Sequence, residues 1–260
     1  MRPVNISREV LEEIYLKENN SIRKTAQILG VAVGTAYNYL KKYGIKTRIS
    51  GKNIRYYKEE NVNYLSPRFR EIVDGVVISD GYIGMRKRKI TDDVGCLTIT
   101  QSIKHRDFLE FIKKELESVG IESKIIERNH HKEVYLYTRW YSCFAVERKR
   151  WYPKGKKEIP KDLVITPKML AIWYMGDGSL FRRREGKRLY YGLILATHSF
   201  SFDDNLYLAN ILKKKYNLHF NIYRQKSYYY LSMTKRSSIK KFIDIVEPYI
   251  VNSFRYKIEL

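Results

Sequence analysis

Two stretches of this chain share one punctuation: GVVISDGYIG, Gly75–Gly84, and YMGDGSLF, Tyr174–Phe181. In each, an apolar run breaks at Asp-Gly, first Asp80-Gly81 and then Asp177-Gly178, before apolar residues resume. One Asp-Gly after an apolar run is ordinarily a turn or a helix end. Here the surroundings of the two copies match as well. At a constant offset of 97 residues Gly95 meets Gly192, Gln101 meets His198, Ser102 meets Ser199 and Asp107 meets Asp204. A duplication that repeats both the turn and its neighbourhood marks two copies of one structural unit.

The segments around each copy fall into the same order. After Asp80 come strand-like YIGMRKRK and GCLTITQS, and after Asp177 come SLFRRR and YGLILATHS. Amphipathic helices follow, KHRDFLEFIKKELESVG and SFDDNLYLANILKKKYN. Two more strands and a closing helix complete each half. An α+β class results, with two αββαββα repeats over residues 67–157 and 158–260. The NHH at 129–131 reads as a hairpin turn rather than a metal site.

Composition narrows the partners. Of 260 residues, 50 are Lys or Arg and 28 are Asp or Glu, for a net charge of +22. The excess is +6 over residues 1–66, +5 over 67–155 and +11 over 156–260, so it is not a basic tail. Such a surface points to a polyanion, of which nucleic acid is the commonest. No apolar run approaches the roughly 20 residues of a membrane helix, and no basic amphipathic anchor appears. Nothing in MRPVNISREV reads as a secretion signal, so a cytoplasmic, nucleoid-associated or organellar location is expected. Cys96 and Cys143 stand alone, without the spacing of a zinc site or disulfide framework, and read as buried small hydrophobes.

Residues 1–48 read as a separate all-α domain of three short helices. SREVLEEIYLKE opens with Ser7 as N-cap, SIRKTAQILG runs from the Ser21 cap to a Gly30 stop, and VAVGTAYNYLKKYG ends at Gly44. Two helices joined by a tight turn, with small Ala26 at their crossing, form a helix-turn-helix pattern. This stretch resembles the helix-turn-helix of site-specific recombinases and regulators, with Ala32 standing where Ser or Thr often caps. The third helix would offer Thr35, Tyr37, Asn38 and Lys41 to the major groove. The bland alternative is a plain three-helix bundle. Residues 49–66 read as a basic linker.

The copies VDGVVISDG (Val73–Gly81) and LAIWYMGDG (Leu170–Gly178) resemble the motif of the LAGLIDADG homing endonucleases, in their single-chain, two-motif form. LVITPKMLAIWYMGDGS and IVEPYIVNSFRYKI strengthen the likeness in the second half. Asp74 stands where the family has a small residue, and Ile172 where it has Gly. The resemblance implies that the two motif helices pack side by side, with Gly75, Ala171 and Gly176 allowing close approach. Asp80 and Asp177 then meet at two helix C-termini, where dipoles and like charge oppose them. A hard divalent cation relieves that conflict, and Mg²⁺ (or Mn²⁺) fits oxygen ligands.

The same resemblance implies site-specific hydrolysis of both strands of a DNA duplex by a monomeric pseudo-dimer, with no small-molecule substrate. Lys157 and Lys257 would stand near the scissile phosphates, and Gln101 and His198 close to the metal. Saddle-shaped antiparallel sheets would carry Arg86, Arg88, Arg128, Arg139, Arg182, Arg184, Arg224 and Lys226 toward DNA. Two other readings compete: an RNA-splicing maturase, and a non-cleaving regulator on the same fold. The retained acids oppose the second, because a mere binder gains nothing from paired carboxylates facing phosphate.

Overall fold

The structure, a computed structural model, describes residues 6–18, 20–45, 47, 66–86, 93–128 and 132–260. The linker up to residue 65, Arg88 and the 129–131 turn lie outside them. The chain divides into two compact units, Met1–Arg55 and Tyr56–Leu260.

In the first unit, α1 (Arg8–Leu11) begins where the Ser7 hydroxyl accepts the Val10 N–H. Its continuation differs from the regular helix expected, because Glu12–Lys17 widen into π-type turns. Helix α2 (Ile22–Ile28) is capped by Ser21, which accepts the Lys24 N–H. Gly30, at φ +64°, ends it and turns the chain into α3 (Val33–Lys42). Ala32 provides no side-chain cap there. Leu11, Tyr15, Leu40 and Ile45 form the core, and Ala26 is fully buried, as the small residue at the crossing requires.

The second unit holds both repeats. Helix α4 (Pro67–Ile78) leads to β1 (Tyr82–Arg86), β2 (Val94–Ser102), α5 (Arg106–Glu117), β3 (Ser123–Arg128), β4 (Glu133–Thr138) and α6 (Ser142–Trp151). Helix α7 (Pro167–Asp177) leads in the same order to β5 (Gly178–Glu185), β6 (Arg188–Leu195), α8 (Phe202–Tyr216), β7 (Asn221–Gln225), β8 (Tyr228–Met233) and α9 (Arg236–Val246). Each repeat makes one antiparallel sheet, ordered β1-β2-β4-β3 and β5-β6-β8-β7. The start signals repeat too. Ser66-Pro67 and Thr166-Pro167 place a hydroxyl cap and an N1 proline at the head of α4 and α7.

One continuous core joins the repeats, and α4 against α7 is its centre. Val73, Val76 and Val77 of α4 and Ala171, Ile172 and Met175 of α7 all lie in this core with no solvent exposure. A Cβ on Gly75 would stand 2.9 Å from Ile172 Cβ and 3.1 Å from the Met169 carbonyl. A Cβ on Gly176 would stand 2.7 Å from Ser79 Cβ. Ile172 therefore departs from the family pattern without opening the interface: its branched side chain fills the space that Gly75 leaves.

Asp74, the other departure, is buried at 2% exposure and fully partnered. The Arg150 guanidinium donates to both its oxygens, at 2.6 and 3.1 Å, and Trp151 Nε1 donates at 2.9 Å. Arg150 also donates to Glu147 and Asp162. Burial pushes the Asp74 carboxyl above its ordinary range while Arg150 pulls it back. Both cysteines are buried thiols. No helix among the described residues is long and apolar enough to cross a membrane.

Gly75→Ala should destabilise the unit by about 1–3 kcal/mol, the usual cost of overpacking. Paired with Ile172→Ala it should cost less than the two single changes added together. Denaturant midpoints of the four proteins check this; strict additivity would show that the two residues do not share one space.

Candidate active site

The two acids meet at one end of the central helix pair. Asp177 is the last residue of α7, whereas α4 stops at Ile78 and Asp80 stands in the turn after it. Ser79 breaks the first helix, its hydroxyl donating back to the Gly75 and Val76 carbonyls. The glycine after each acid is a steric necessity. A Cβ on Gly81 would lie 2.5 Å from the Val76 carbonyl oxygen, and one on Gly178 would lie 1.9 Å from the Tyr174 ring. A Cβ on Gly176 would come within 3.4 Å of Asp80 Oδ2, so the end of α7 directly adjoins the first acid.

Both predicted lysines arrive at this end. Lys157 donates to the Ser79 carbonyl at 2.9 Å, and Lys257 donates to the Met175 carbonyl at 2.8 Å. Each ammonium thus sits on the carbonyl-rich C-terminus of one motif helix, where the dipole favours a cation. Burial lowers the Lys157 ammonium below the usual lysine range, with Asp177 and Asp80 opposing. Burial likewise brings Lys257 down to about 8, against the same two acids. Asp177 is pushed up to about 7, by burial first and then by Asp80, while Lys157 and Lys257 pull it down. Four titratable groups therefore act on one another within one cluster.

Among the described residues, no group of three or more His, Cys, Asp and Glu side chains forms a metal cage. The donor set is instead a carboxylate pair. Such a pair fits a hard cation that completes its shell with water and substrate oxygens; a structural zinc would need more nitrogen or sulfur ligands. A divalent cation would also offset both costs that raise Asp177, burial of its charge first and the nearby Asp80 second.

The partners matched by the repeat diverge. Gln101 Nε2 donates to Asp80 Oδ2 at 2.5 Å, so the first acid has a neutral partner orienting it. His198 lies beyond the end of β6, with Nε2 3.4 Å from Gln225 Oε1 and its ring stacked on Tyr230 at 5.4 Å. Its contacts lead to the sheet, and the structure does not bring it onto Asp177 as Gln101 is brought onto Asp80.

Strand register sorts the basic residues. In the first sheet Ile83, Leu97, Ile99, Val134 and Leu136 point into the core, which leaves Arg86, Thr98, Lys124, Arg128, Tyr135 and Tyr137 on the open face. Arg86 lies over Trp140 and Arg128 over Tyr135, each 4.3 Å from the ring centroid. In the second sheet Leu193, Leu195, Leu231 and Met233 are the core set. Alternation then carries Arg182, Arg184 and Arg224 toward the helix side rather than the open face. Arg182 donates at 2.6 Å to the Glu259 carbonyl near the C-terminus, and Arg224 donates to the carbonyl of Lys226 in the following turn. Arg139 lies just past β4, paired with Glu122 at 2.8 Å. The open face of the second sheet instead presents Phe181, Arg183, Arg188, Tyr190, Tyr223 and Tyr230. Lys124, Arg183 and Arg188 escaped the sequence reading; strict period-two counting from the apolar positions would have found them. In the first unit Tyr37, Asn38 and Lys41 are exposed along α3 and Thr35 is half-buried.

A pair of αββαββα repeats meeting on two motif helices, with one acid from each, defines a single-chain, two-motif arrangement. The LAGLIDADG DNA endonuclease family model matches residues 70–242. An uncharacterized protein of Methanocaldococcus jannaschii is 34% identical over 254 residues, covering 95% of this chain and 93% of its own. The cytochrome b mRNA maturase bI2 of Debaryomyces hansenii is 27% identical over 220 residues, 77% of this chain and 78% of its own. Among solved structures, the homing endonuclease I-WcaI bound to its DNA recognition sequence matches with TM-score 0.65 and 25% identity, over 85% of this chain and 98% of that one. This chain belongs to the LAGLIDADG DNA endonuclease family.

If the acid pair holds a divalent cation, millimolar MgCl₂ should raise the thermal midpoint, since a ligand at 100 times its Kd stabilises by about 2.7 kcal/mol. The gain should vanish in the Asp80→Asn/Asp177→Asn double variant. A shift of equal size in that variant would place the cation elsewhere.

Proposed function

We propose that this chain is a monomeric, site-specific endonuclease that cuts both strands of a DNA duplex in the presence of Mg²⁺ or Mn²⁺. The observation that carries this reading is the convergence of Asp80, Asp177, Lys157 and Lys257 at the paired C-termini of the two motif helices. One chain supplies both acids, so a second copy is not needed to complete the site.

Asp80 and Asp177 would hold the cation, which would supply charge stabilisation of the transition state at phosphorus and a lowered pKa of attacking water. Gln101 fixes the rotamer of Asp80 through its amide. Lys157 and Lys257, their basicity lowered by burial, are suited to move a proton or to neutralise a phosphate oxygen. Arg86, Lys124 and Arg128 on one open sheet, and Arg183 with its neighbouring rings on the other, would contact the duplex. Arg139 and Lys226, just past strand ends, would meet phosphates, which position the protein without reading sequence, whereas Arg182, Arg184 and Arg224 turn to the helix side and are left out of the scheme. Tyr37, Asn38 and Lys41 of α3 would add a second contact site. His198, tied to Gln225 and Tyr230, belongs in this scheme to the DNA-facing surface.

The deciding experiment is cleavage of a randomised duplex library with Mg²⁺, followed by sequencing of the ends. One enriched junction cut on both strands is the expected result, and random ends or none would end the proposal. A second reading, RNA-splicing maturase, is favoured by the likeness to the bI2 maturase. Protein-dependent splicing of an intron RNA that continues in the Asp80→Asn/Asp177→Asn variant would establish it.

Asp80→Asn or Asp177→Asn should each abolish double-strand cutting while leaving duplex affinity nearly unchanged, because the acids hold a cation and contact no base. Wild-type cutting in either variant would remove that residue from the metal site. Lys157→Ala and Lys257→Ala should each slow cleavage about 10²-fold, the scale of a positioned proton-transfer group. Single-turnover rates on the selected duplex measure it.

Removing residues 1–48 should weaken binding and shorten the footprint at one end while preserving metal-dependent cutting. For every phosphate that the shortened protein no longer neutralises, the salt dependence should flatten by about 0.9 log unit per log unit of salt. Footprinting and a salt series on one duplex check this. An unchanged footprint and slope would reduce the three helices to a structural bundle.

A further inference from the structure

Lys257 is seated from two directions, and only one belongs to its own half. Its ammonium reaches Met175, its carbonyl accepts the Tyr174 hydroxyl at 2.6 Å, and its ammonium lies 4.7 Å from the Phe254 ring centroid. All of these contacts stay within the second repeat. The short 3₁₀ turn that carries it, Asn252–Lys257, has no side-chain cap of its own. Its start is gripped by the first repeat instead. The Ser253 N–H donates to Asp107 Oδ2 at 2.9 Å, and Ser253 Oγ lies 3.1 Å from His105 Nδ1. Phe254 stacks on the His105 ring at 4.1 Å and 14°, and meets Phe108 edge-on at 5.5 Å. Asp107 Oδ1 accepts the neighbouring Phe108 N–H at 2.8 Å, which fixes the carboxylate's orientation.

The duplicated position does something different. Asp204, the match of Asp107, closes a capping box with Ser201 at the head of its own helix. The first repeat has Lys104 where the second has Ser201, so Asp107 has no local hydroxyl to bind. The same acid therefore caps its own helix in one half and a segment of the opposite repeat in the other. The loop of Lys157 is held mainly by residues of its own repeat, with Arg150 also bonded to Asp162 just past the repeat boundary. The Glu158 N–H donates to the Trp151 carbonyl, and Arg150 just upstream is clamped to Asp74 of the same repeat.

We propose that Asp107 and His105 are positioning residues for Lys257, through which the first repeat sets where the second half's lysine stands and how fast one DNA strand is cut. The statement about strands rests on the endonuclease reading above; the statement about position does not. A turn this short depends on outside acceptors for its first N–H groups. Losing the Ser253 acceptor frees the start of the segment, and a misplacement of about 1 Å at a reacting group can cost of order 10²-fold.

The test uses the full chain with Asp107→Leu, Asp107→Asn, His105→Ala and Asp204→Ala. In the first arm the free protein is acetylated with N-hydroxysuccinimidyl acetate, and each lysine is followed by mass spectrometry. Lys257 should be labelled several-fold faster in Asp107→Leu and to a lesser degree in His105→Ala, with Lys157 unchanged. Asp107→Asn keeps an acceptor oxygen and should stay near wild type. Asp204→Ala should lower the thermal midpoint without exposing Lys257. In the second arm, on a duplex recovered from the library selection, Asp107→Leu should slow one strand at least about tenfold relative to the other.

Unchanged labelling of Lys257, or equal rises at Lys157 and Lys257, overturns the clasp. Equal slowing of both strands overturns its role in cleavage. If wild type cuts no duplex, the endonuclease reading falls while the labelling arm still decides the clasp. If Asp107→Leu does not fold, His105→Ala decides it.

Discussion

Close approach of α4 and α7 is the constraint on which the second unit depends. Neither Gly75 nor Gly176 has room for another carbon, and Ile172 fills what Gly75 vacates. The two helices also end side by side, with Gly176 against Ser79 and Asp80, so two carboxylates and the negative ends of two helix dipoles share one place. Asp177 is raised there by burial first and by its neighbour Asp80 second. Lys157 and Lys257, each bonded to a carbonyl of one helix terminus, offset part of this rise. On the reading proposed above, a divalent cation would offset the remainder. Packing and chemistry are thus one arrangement here: apolar burial along the helix pair holds together groups that would otherwise repel.

The duplication is faithful in topology and unfaithful in detail. Sheet order, capping hydroxyl, N1 proline and acid all repeat. The side chains around each acid do not. Gln101 orients Asp80, whereas His198 turns to Gln225 and a stack of rings. Asp107 reaches across the repeats, whereas Asp204 caps its own helix. Asp74 takes a place suited to a small residue and brings Arg150, Glu147 and Asp162 with it. A buried ionic cluster of this kind contributes little net stability over an apolar filling, yet losing one member would leave the others uncompensated. It secures the segment on either side of Lys157. A single chain permits such divergence, because its two halves are not obliged to share a sequence as the subunits of a homodimer are.

Charge follows the same division. Both open sheet faces carry cationic side chains, but the first presents Arg86, Lys124 and Arg128, and the second presents Arg183 and Arg188 amid Tyr190, Tyr223 and Tyr230. On the endonuclease reading, a surface with two unlike halves would suit a target without exact two-fold symmetry, because each half could meet different base edges.

Much of this was legible in the residues themselves. The 97-residue offset fixed the duplication, period-two and period-3.6 patterns set the order of elements, and the paired Asp-Gly steps located the acids. Those features are local or repetitive, and the chain writes them wherever they occur. Facing was less legible: Arg182, Arg184 and Arg224 look like Arg86 and Arg128 in composition, and only pairing register shows that they turn the other way. Least legible were the long-range partners. Asp74 with Arg150, Gln101 with Asp80, and Asp107 with Ser253 lie 76, 21 and 146 residues apart, and each depends on two elements docking at one angle. The sequence by itself determined which groups this protein holds and that it holds them twice. Only the tertiary structure decided which of them touch, because helix packing and strand register, rather than residue type, set the final few ångströms.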